Sequence, residues 1–318
     1  MMLSLALTAS AEEVVTLTYA EVNPLDSLMG QTATAFKDKV EELTGGSVVI
    51  EIQASGVLGA EGDVLDTMIG GADTVDIARV ATFSLTNYGV QRTMLLSIPY
   101  TFTGREHFWA FASSDLGTAL LNEPADLQLG VRGLFYVEEG FRHFFFKDEV
   151  AGIEDLAGKK LRVSTDPIMT GMVGGLQANA TVVSFGELYQ SLSTGVVDGA
   201  EQPIVNYQSN AFHEVAPYML LDGHTLGCAE VIMTDTAWAK LSEEQQAAVI
   251  EAGKFASEFN ANLSAEIEGN CKDELIAAGV TFVDVNDNQP WKDACAELIN
   301  SYTAGLEADY QAIAELAK

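Results

Sequence analysis

Arginine is the residue of this sequence with the most specific chemistry, because the chain is otherwise strongly acidic. Among 318 residues, 16 lysines and arginines stand against 46 aspartates and glutamates, a formal net charge of −30. Six residues are arginine, and none follows Arg162. A planar guanidinium donates two parallel hydrogen bonds to one carboxylate, so an arginine in such a chain is suited to hold an anion. The alternative for any single arginine is a solvated salt bridge.

Arg162 and Arg142 are the two candidates for anion binding. Arg162 lies in a predicted strand, 160–164, that follows a turn at Gly158. Arg142 precedes it by twenty residues, in the run GFRHFFF at 140–146, whose aromatic composition favours a strand.

Signatures of common enzyme classes are missing. The sequence contains neither the dinucleotide-binding GxGxxG nor the nucleophile motif GxSxG. A stretch similar to a phosphate loop, Gly152 to Lys160, has five residues between its glycines instead of four and lacks the following Ser or Thr. His213-Glu214 begins like a zinc-protease helix, but no second histidine follows. We therefore predict that the protein is not an enzyme and uses no cofactor.

Cysteine and histidine give no indication of a metal site. Cys228, Cys271 and Cys295 are widely separated, and none of the four histidines lies at zinc-binding spacing from another. We predict that no metal is bound. Two alternatives stay open for the thiols: a disulfide between Cys271 and Cys295 in an oxidising compartment, or three buried thiols.

Composition predicts a soluble globular protein, and the amino-terminal residues predict a location outside the cytoplasm. Hydrophobic residues make up 48% of the chain and charged residues 19%, which is typical of a folded protein. The acidic excess repels nucleic acid, and no apolar run is long enough to span a membrane. Residues 1–11 are apolar, uncharged and end in a small-x-small pattern, which predicts the remainder of a signal peptide and a periplasmic or extracellular location.

Strands and helices alternate along the chain, which predicts the α/β class with parallel strands. The first half has the order βαβαβ, and Glu138-Glu139-Gly140 is interpreted as a break between two later strands. Strands are predicted near 14–21, 48–52, 75–80, 129–137, 142–146, 160–164, 181–183, 196–199 and 280–285. Helices are predicted around 36–43, 64–69, 104–121, 167–177, 186–194 and 242–278, and from 290.

Four motifs follow one another in the second half of the chain: GFR at 140–142, DLAGKKLRV at 155–163, FGELYQSLSTGVVDGAEQP at 185–203 and FHEVAPY at 212–218. With the short break DGH at 222–224, they resemble segments of the solute-binding receptors of tripartite ATP-independent periplasmic (TRAP) transporters, DctP type. The resemblance covers essentially the whole chain after residue 12. It implies a two-lobed periplasmic binding protein of the venus-flytrap, type II-like class, with hinge strands and a long helix spanning both lobes.

The resemblance also implies ligand-binding residues. It matches Arg162 to the residue that binds the ligand carboxylate, Arg142 to a supporting arginine and Phe185 to an aromatic contact, although without the motif Phe185 is more typical of a core aromatic. Gln202 stands where the family usually has Asn, and its extra methylene displaces the amide. Residues 144–146, all Phe, are interpreted as sheet core and not as pocket.

Further candidates come from the first half of the chain. Thr82 and Phe83 follow a predicted strand end, where open α/β sheets place ligand contacts. Asn23 is a candidate polar contact, as are Asn87 and Tyr19.

The predicted lobes are discontinuous: residues 12–138 with 226–268 form lobe I, and residues 139–225 with 269–318 form lobe II.

The implied function is capture of a small organic acid, such as a C4-dicarboxylate, a sugar acid or uronate, or another carboxylate, between the lobes. A monomeric receptor would then deliver the acid to the membrane subunits of a TRAP permease. A soluble sensor with the same fold and an α/β enzyme are the alternatives. Neither Arg162 nor Arg142 is expected to stabilise the empty protein.

Overall fold

Ten strands form one mixed sheet in the computed structural model, which describes residues 14–317. The predicted signal peptide, residues 1–11, lies outside the described residues. The order is β2-β1-β3-β9-β4-β7-β5-β6, and β8 pairs with both β4 and β10. The strands are β1 Val15–Ala20, β2 Val48–Gln53, β3 Ile77–Ala81, β4 Val131–Phe146, β5 Lys160–Val163, β6 Asn179–Val182, β7 Gly199–Pro203, β8 Tyr218–Leu221, β9 Thr225–Thr234 and β10 Thr281–Asp284.

Helices cover the sheet, which confirms the predicted α/β class. They are α1 Leu28–Leu43, α2 Glu61–Ile69, α3 Arg105–Ala112, α4 Asp115–Leu121, α5 Glu123–Asp126, α6 Pro167–Gly175, α7 Leu188–Thr194, α8 Ile204–Ser209, α9 Asp235–Ala239, α10 Glu243–Ala277, α11 Gln289–Thr303 and α12 Glu307–Glu315. The prediction of a single helix at 104–121 is wrong. Two helices, α3 and α4, occupy this range, because Ser114 caps α4 by accepting a hydrogen bond from the backbone N–H of Gly117.

Strand β4 joins the two halves of the sheet. Its first part pairs antiparallel with β9, and its last residues pair with β7 and β8. On one side of this junction lie β1, β2 and β3, and on the other side lie β5, β6 and β7. Two strands, β4 and β9, therefore carry the chain through the middle of the sheet.

The predicted break at Glu138-Glu139-Gly140 is wrong, because β4 runs through it without interruption. The strand register shifts between Glu138 and Phe141, and Gly140 adopts a positive φ of 95°, the conformation of a β-bulge. The two glutamates are buried, where the buried Arg79 beside Glu139, the partly buried Arg105 beside Glu138 and hydrogen bonds compensate for lost hydration. An acidic pair that is typical of a loop is thus accommodated inside a strand.

Helix α10 confirms the long helix predicted at 242–278. Ser242 and Gln245 form a capping box at its start, since each side chain bonds the backbone N–H of the other. The helix packs against α1, β4 and α8, elements from both halves of the sheet. Asn260, on its buried face, accepts a hydrogen bond from the backbone N–H of Glu138 at 2.8 Å. The helix is therefore fastened to the middle of β4.

Residues 144–146 are sheet core, as predicted, with at most 1% of each side chain exposed. All three cysteines are buried and free, in agreement with the second alternative for the thiols. Cys271 belongs to the apolar cluster beneath α10, and Cys295 belongs to a separate cluster beneath α11.

Helix α12 returns to elements of the first half. Ile313 accepts a hydrogen bond on its carbonyl oxygen from Nε2 of His107 at 2.7 Å, and Asp309 pairs with Arg92 at 2.7 Å. The division into lobes stays a prediction, and these contacts argue for moving α12 from lobe II to lobe I.

His143 makes the free energy of unfolding depend on pH. Its Nδ1 accepts a hydrogen bond from the backbone N–H of Gly223 at 3.0 Å, and burial lowers its pKa to about 4 against the opposing charge of Asp222. The unfolded chain, with an ordinary value of 6.5, takes up the proton first, so stability falls as the pH drops from 6.5 towards 4. In His143→Asn the amide oxygen replaces Nδ1 as the acceptor and does not titrate. We therefore expect the free energy of unfolding of this variant to fall by about 2 kcal/mol less than that of the wild type between pH 7 and pH 4.5. Urea unfolding at pH 7 and pH 4.5 measures the difference, and equal pH slopes for both proteins would contradict it.

Candidate functional site

A cavity of about 400 Å³ lies between the two halves of the sheet. Its walls come from the segments after β1, β3, β5 and β6, from the start of α2, and from β4, β7 and α8. The carboxyl ends of strands in an open α/β sheet are the usual position of ligand sites. Six of the seven ligand-binding candidates named from the sequence line this cavity: Asn23, Phe83, Arg142, Arg162, Phe185 and Gln202.

Arg162 brings a positive charge into the cavity from the end of β5. Only 2% of its surface is exposed, and its Nε donates a hydrogen bond to the carbonyl oxygen of Val183 at 2.8 Å. Its Nη1 is buried and has no hydrogen-bond partner among residues 14–317. Burial lowers the pKa of Arg162 to about 10, with neighbouring Arg142 adding to the effect, so the side chain is still a cation at neutral pH. A buried cation with an unused donor is suited to an anionic group of a ligand.

Arg142 uses its guanidinium differently. On β4 it forms a bidentate pair with Glu201, through Nε to one carboxylate oxygen and through Nη2 to the other at 2.9 Å. Burial opposes both charges, yet Arg142 and His224 hold the pKa of Glu201 at about 2. Because the fork of Arg142 is already occupied, the expectation that it does not stabilise the empty protein conflicts with the structure.

Phe185 and Phe83 supply apolar surface to the cavity. Phe185 is partly buried and packs edge-on against Phe212, with ring centroids 5.7 Å apart. Gln202 is 3% exposed and lies in β7, opposite His143 of β4. It lines the cavity, on the strand that also carries Glu201.

Thr82, the seventh candidate, does not line the cavity. Its side chain is fully buried, and its hydroxyl is within hydrogen-bond distance of Ser97 and of the Cys228 carbonyl oxygen. Tyr19 is also core, 1% exposed and packed against Phe36. Asn87, in contrast, lines the cavity and donates a hydrogen bond to the carbonyl oxygen of Thr165 at 3.2 Å. This bond joins the segment after β3 to the segment after β5, across the cavity.

The cavity wall contains an ion-pair cluster that was not predicted from the sequence. Arg79 lies 2.8 Å from Glu21, 3.2 Å from Glu139 and 3.4 Å from Glu61. All but Glu21 line the cavity, together with Asn206 of α8. Arg79 was visible as one of six arginines, but the three glutamates come from separate parts of the chain and share no motif.

The chain is similar to a known protein family and to individual proteins of known sequence. The model of the family described as bacterial extracellular solute-binding protein, family 7 (DctP), matches residues 19–305. A solute-binding protein of Roseobacter denitrificans is 29% identical over 283 residues, which are 89% of this chain and 86% of that protein.

Two solved structures are close in fold. The TRAP periplasmic solute-binding protein of Pseudomonas putida F1, with bound D-glucuronate, is 27% identical, with a TM-score of 0.90 over 94% of this chain and 96% of that one. The TRAP periplasmic solute-binding protein of Polaromonas sp. JS666, bound to D-erythronate, is 27% identical, with a TM-score of 0.89 over 94% of this chain and 98% of that one. These similarities confirm the predicted two-lobed architecture.

Within residues 14–317, no helix combines the length and the apolar character needed to cross a bilayer. The family match extends over most of the chain and includes all of the motifs from GFR to DGH. This chain belongs to family 7 of the bacterial extracellular solute-binding proteins, the periplasmic receptors of TRAP transport.

Proposed function

We propose that this receptor captures a small organic acid by pairing Arg162 with the carboxylate of the ligand. The observation that carries the proposal is the buried Nη1 of Arg162, which lines the cavity without a hydrogen-bond partner among the described residues. The acids bound by the two structural relatives, D-glucuronate and D-erythronate, each carry a carboxylate and support this assignment. Arg142, whose charge is balanced by Glu201, has a supporting role in the cavity wall, and Phe185, Phe83, Gln202 and Asn23 contact the remainder of the ligand.

Binding between two lobes follows from the energies involved. One charge-assisted pair contributes about 1.5–3 kcal/mol, whereas micromolar affinity requires about 8 kcal/mol. The remainder must come from the opposite wall and from exclusion of water, which a closing cleft provides. The hydrogen bond from Asn87 to Thr165 across the cavity favours such a closed form. The two lobes close on the ligand by a hinge motion at β4 and β9.

The receptor also has a role in transport across the membrane. The receptor is exported by its signal peptide, acts as a monomer without catalytic activity, and passes the acid to the membrane subunits of a TRAP permease. Membership of a family of periplasmic TRAP receptors supports this role.

A thermal-shift screen against a library of organic acids tests the proposal. We expect an acid present at 100 times its Kd to stabilise the protein by about 2.7 kcal/mol. Chromatography of the recovered acid should show it unchanged. The result that would contradict the proposal is a library in which no acid raises the melting temperature, or one in which neutral sugars do so equally well.

A further inference from the structure

Glu230, in the middle of β9, is a buried carboxyl group that takes no part in the cavity. None of its surface is exposed, and neither of its carboxyl oxygens has a hydrogen-bond partner among residues 14–317. The buried Glu138 and Glu201, in contrast, each accept hydrogen bonds from an arginine. Glu230 therefore requires a different explanation from the glutamates that form ion pairs.

The neighbours of Glu230 on its face of the sheet belong to apolar clusters. Tyr136 of β4 and Val80 of β3 lie directly opposite it, and Cys228 and Ile232 lie two positions away along β9. Residues that are opposite one another or two positions apart share a face of a sheet. Tyr136 and Cys228 belong to one apolar cluster, and Val80 and Ile232 belong to another. Glu230 thus lies between two apolar clusters.

The nearby charged groups do not neutralise Glu230. Glu123 of α5 adds a negative charge, and its carboxylate accepts hydrogen bonds from the backbone N–H groups of residues 91–93 at 3.1 Å, an arrangement that favours its anionic form. Arg92 acts on this region from a distance, but its Nε pairs with Asp309 at 2.7 Å. The charges around Glu230 therefore oppose a second anion.

The other ionisable groups beside Glu230, Tyr136 and Cys228, are neutral. Burial raises the pKa of the phenol and the pKa of the thiol well above their ordinary values. The hydroxyl of Tyr136 donates a hydrogen bond to the carbonyl oxygen of Gly117 at 3.1 Å, so it is not free to donate to Glu230. A carboxylate without a hydrogen bond or a cation is strongly unfavourable in apolar surroundings, and protonation removes its charge.

We infer that Glu230 carries a proton in the folded receptor and is a pH-sensitive element of the fold, which destabilises the sheet as the pH rises. Burial, with the charge of Glu123 adding to it, raises the pKa of Glu230 well above the ordinary value of 4.5. Above that value the unfolded chain releases the proton, whereas the folded chain retains it. Each further pH unit then favours unfolding by about tenfold. The sign is opposite to that expected for His143, and the inference does not depend on the ligand.

Urea unfolding of the wild type and of Glu230→Gln at pH 6, 7 and 8 tests the inference. The amide is similar in shape to a protonated carboxyl and does not titrate, so a constant effect of the substitution cancels when the pH dependences are compared. We expect the unfolding constant of the wild type, divided by that of the variant, to rise about 100-fold from pH 6 to pH 8. A rise of less than about tenfold would overturn the inference. Glu297→Gln, at an exposed position of α11, is the matched control and should follow the wild type.

Glu230→Leu is a second variant, which removes the carboxyl and leaves no polar group between the apolar clusters. It carries the same test if Glu230→Gln fails to fold. Infrared difference spectra at pH 8, wild type minus either folded variant, observe the proton directly. They should contain the carbonyl band of one protonated carboxylic acid. Difference spectra that contain only the bands of an ionised carboxylate would overturn the inference.

Discussion

Replacing Arg142 with Ala is expected to lower the free energy of unfolding of the empty protein by about 3–5 kcal/mol, because it leaves the buried carboxylate of Glu201 without its main partner. Arg142 is 5% exposed and Glu201 is fully buried, so water cannot take the place of the lost guanidinium. Urea unfolding at pH 7 measures the change. Arg142→Ala combined with Glu201→Gln should recover part of it, since the buried charge is then removed.

Arg132→Ala is the matched control for this prediction. Arg132 pairs with Asp235 at 2.6 Å, but both side chains are substantially exposed. Such pairs contribute about 0–1 kcal/mol, so the control should change stability little. A loss at Arg142 no larger than the loss at Arg132 would show that the buried pair does not stabilise the fold.

Arg162→Ala should have the opposite profile, with a large loss of binding and no loss of stability. Its removal deprives the bound carboxylate of its partner in a buried site, so we expect the Kd to rise by about 10²- to 10³-fold. The empty protein should unfold at the same urea concentration or a higher one, because the wild type buries a cation with an unused donor. Arg162→Lys should restore affinity only in part, since an ammonium cannot reproduce the planar double contact.

The two readouts for Arg162→Ala are measured on the same preparation, by calorimetric titration of an acid found in the screen and by urea unfolding. A folded variant that binds the acid within about threefold of the wild type would overturn the assignment of Arg162. A variant that loses stability as Arg142→Ala is expected to do would show that Arg162 supports the fold.

Local sequence patterns were sufficient to predict the elements that depend on local interactions. Helix α10 has a capping box, is rich in Ala, Glu, Gln and Lys and contains no Pro, and β5 follows a glycine turn, so both were predictable. The motif around residues 155–163 also placed Arg162 at the end of a strand. The course of β4 was not predictable, because Glu138 and Glu139 are accommodated in it by arginines from remote positions of the chain.

The candidate site shows the same limit. Thr82 and Phe83 are neighbours in sequence, but only Phe83 faces the cavity, since the hydroxyl of Thr82 is turned towards β9. Asn206 follows Gln202 by four residues and was missed, although its place just after the 185–203 motif was visible. Its side chain in the cavity wall donates a hydrogen bond to Glu139, which joins residues 67 positions apart. Contacts of this kind become visible only in the folded chain.

The central claim is that Arg162 binds the carboxylate of the ligand, and a thermodynamic cycle tests it most directly. Calorimetry would compare the acid ranked first by the screen with its primary amide, in the wild type and in Arg162→Ala. We predict that the wild type binds the acid at least about 100-fold more tightly than the amide, and that the variant binds the two within about threefold of each other. A variant that still prefers the acid by the wild-type factor would contradict the claim, because the carboxylate would then be bound by another group.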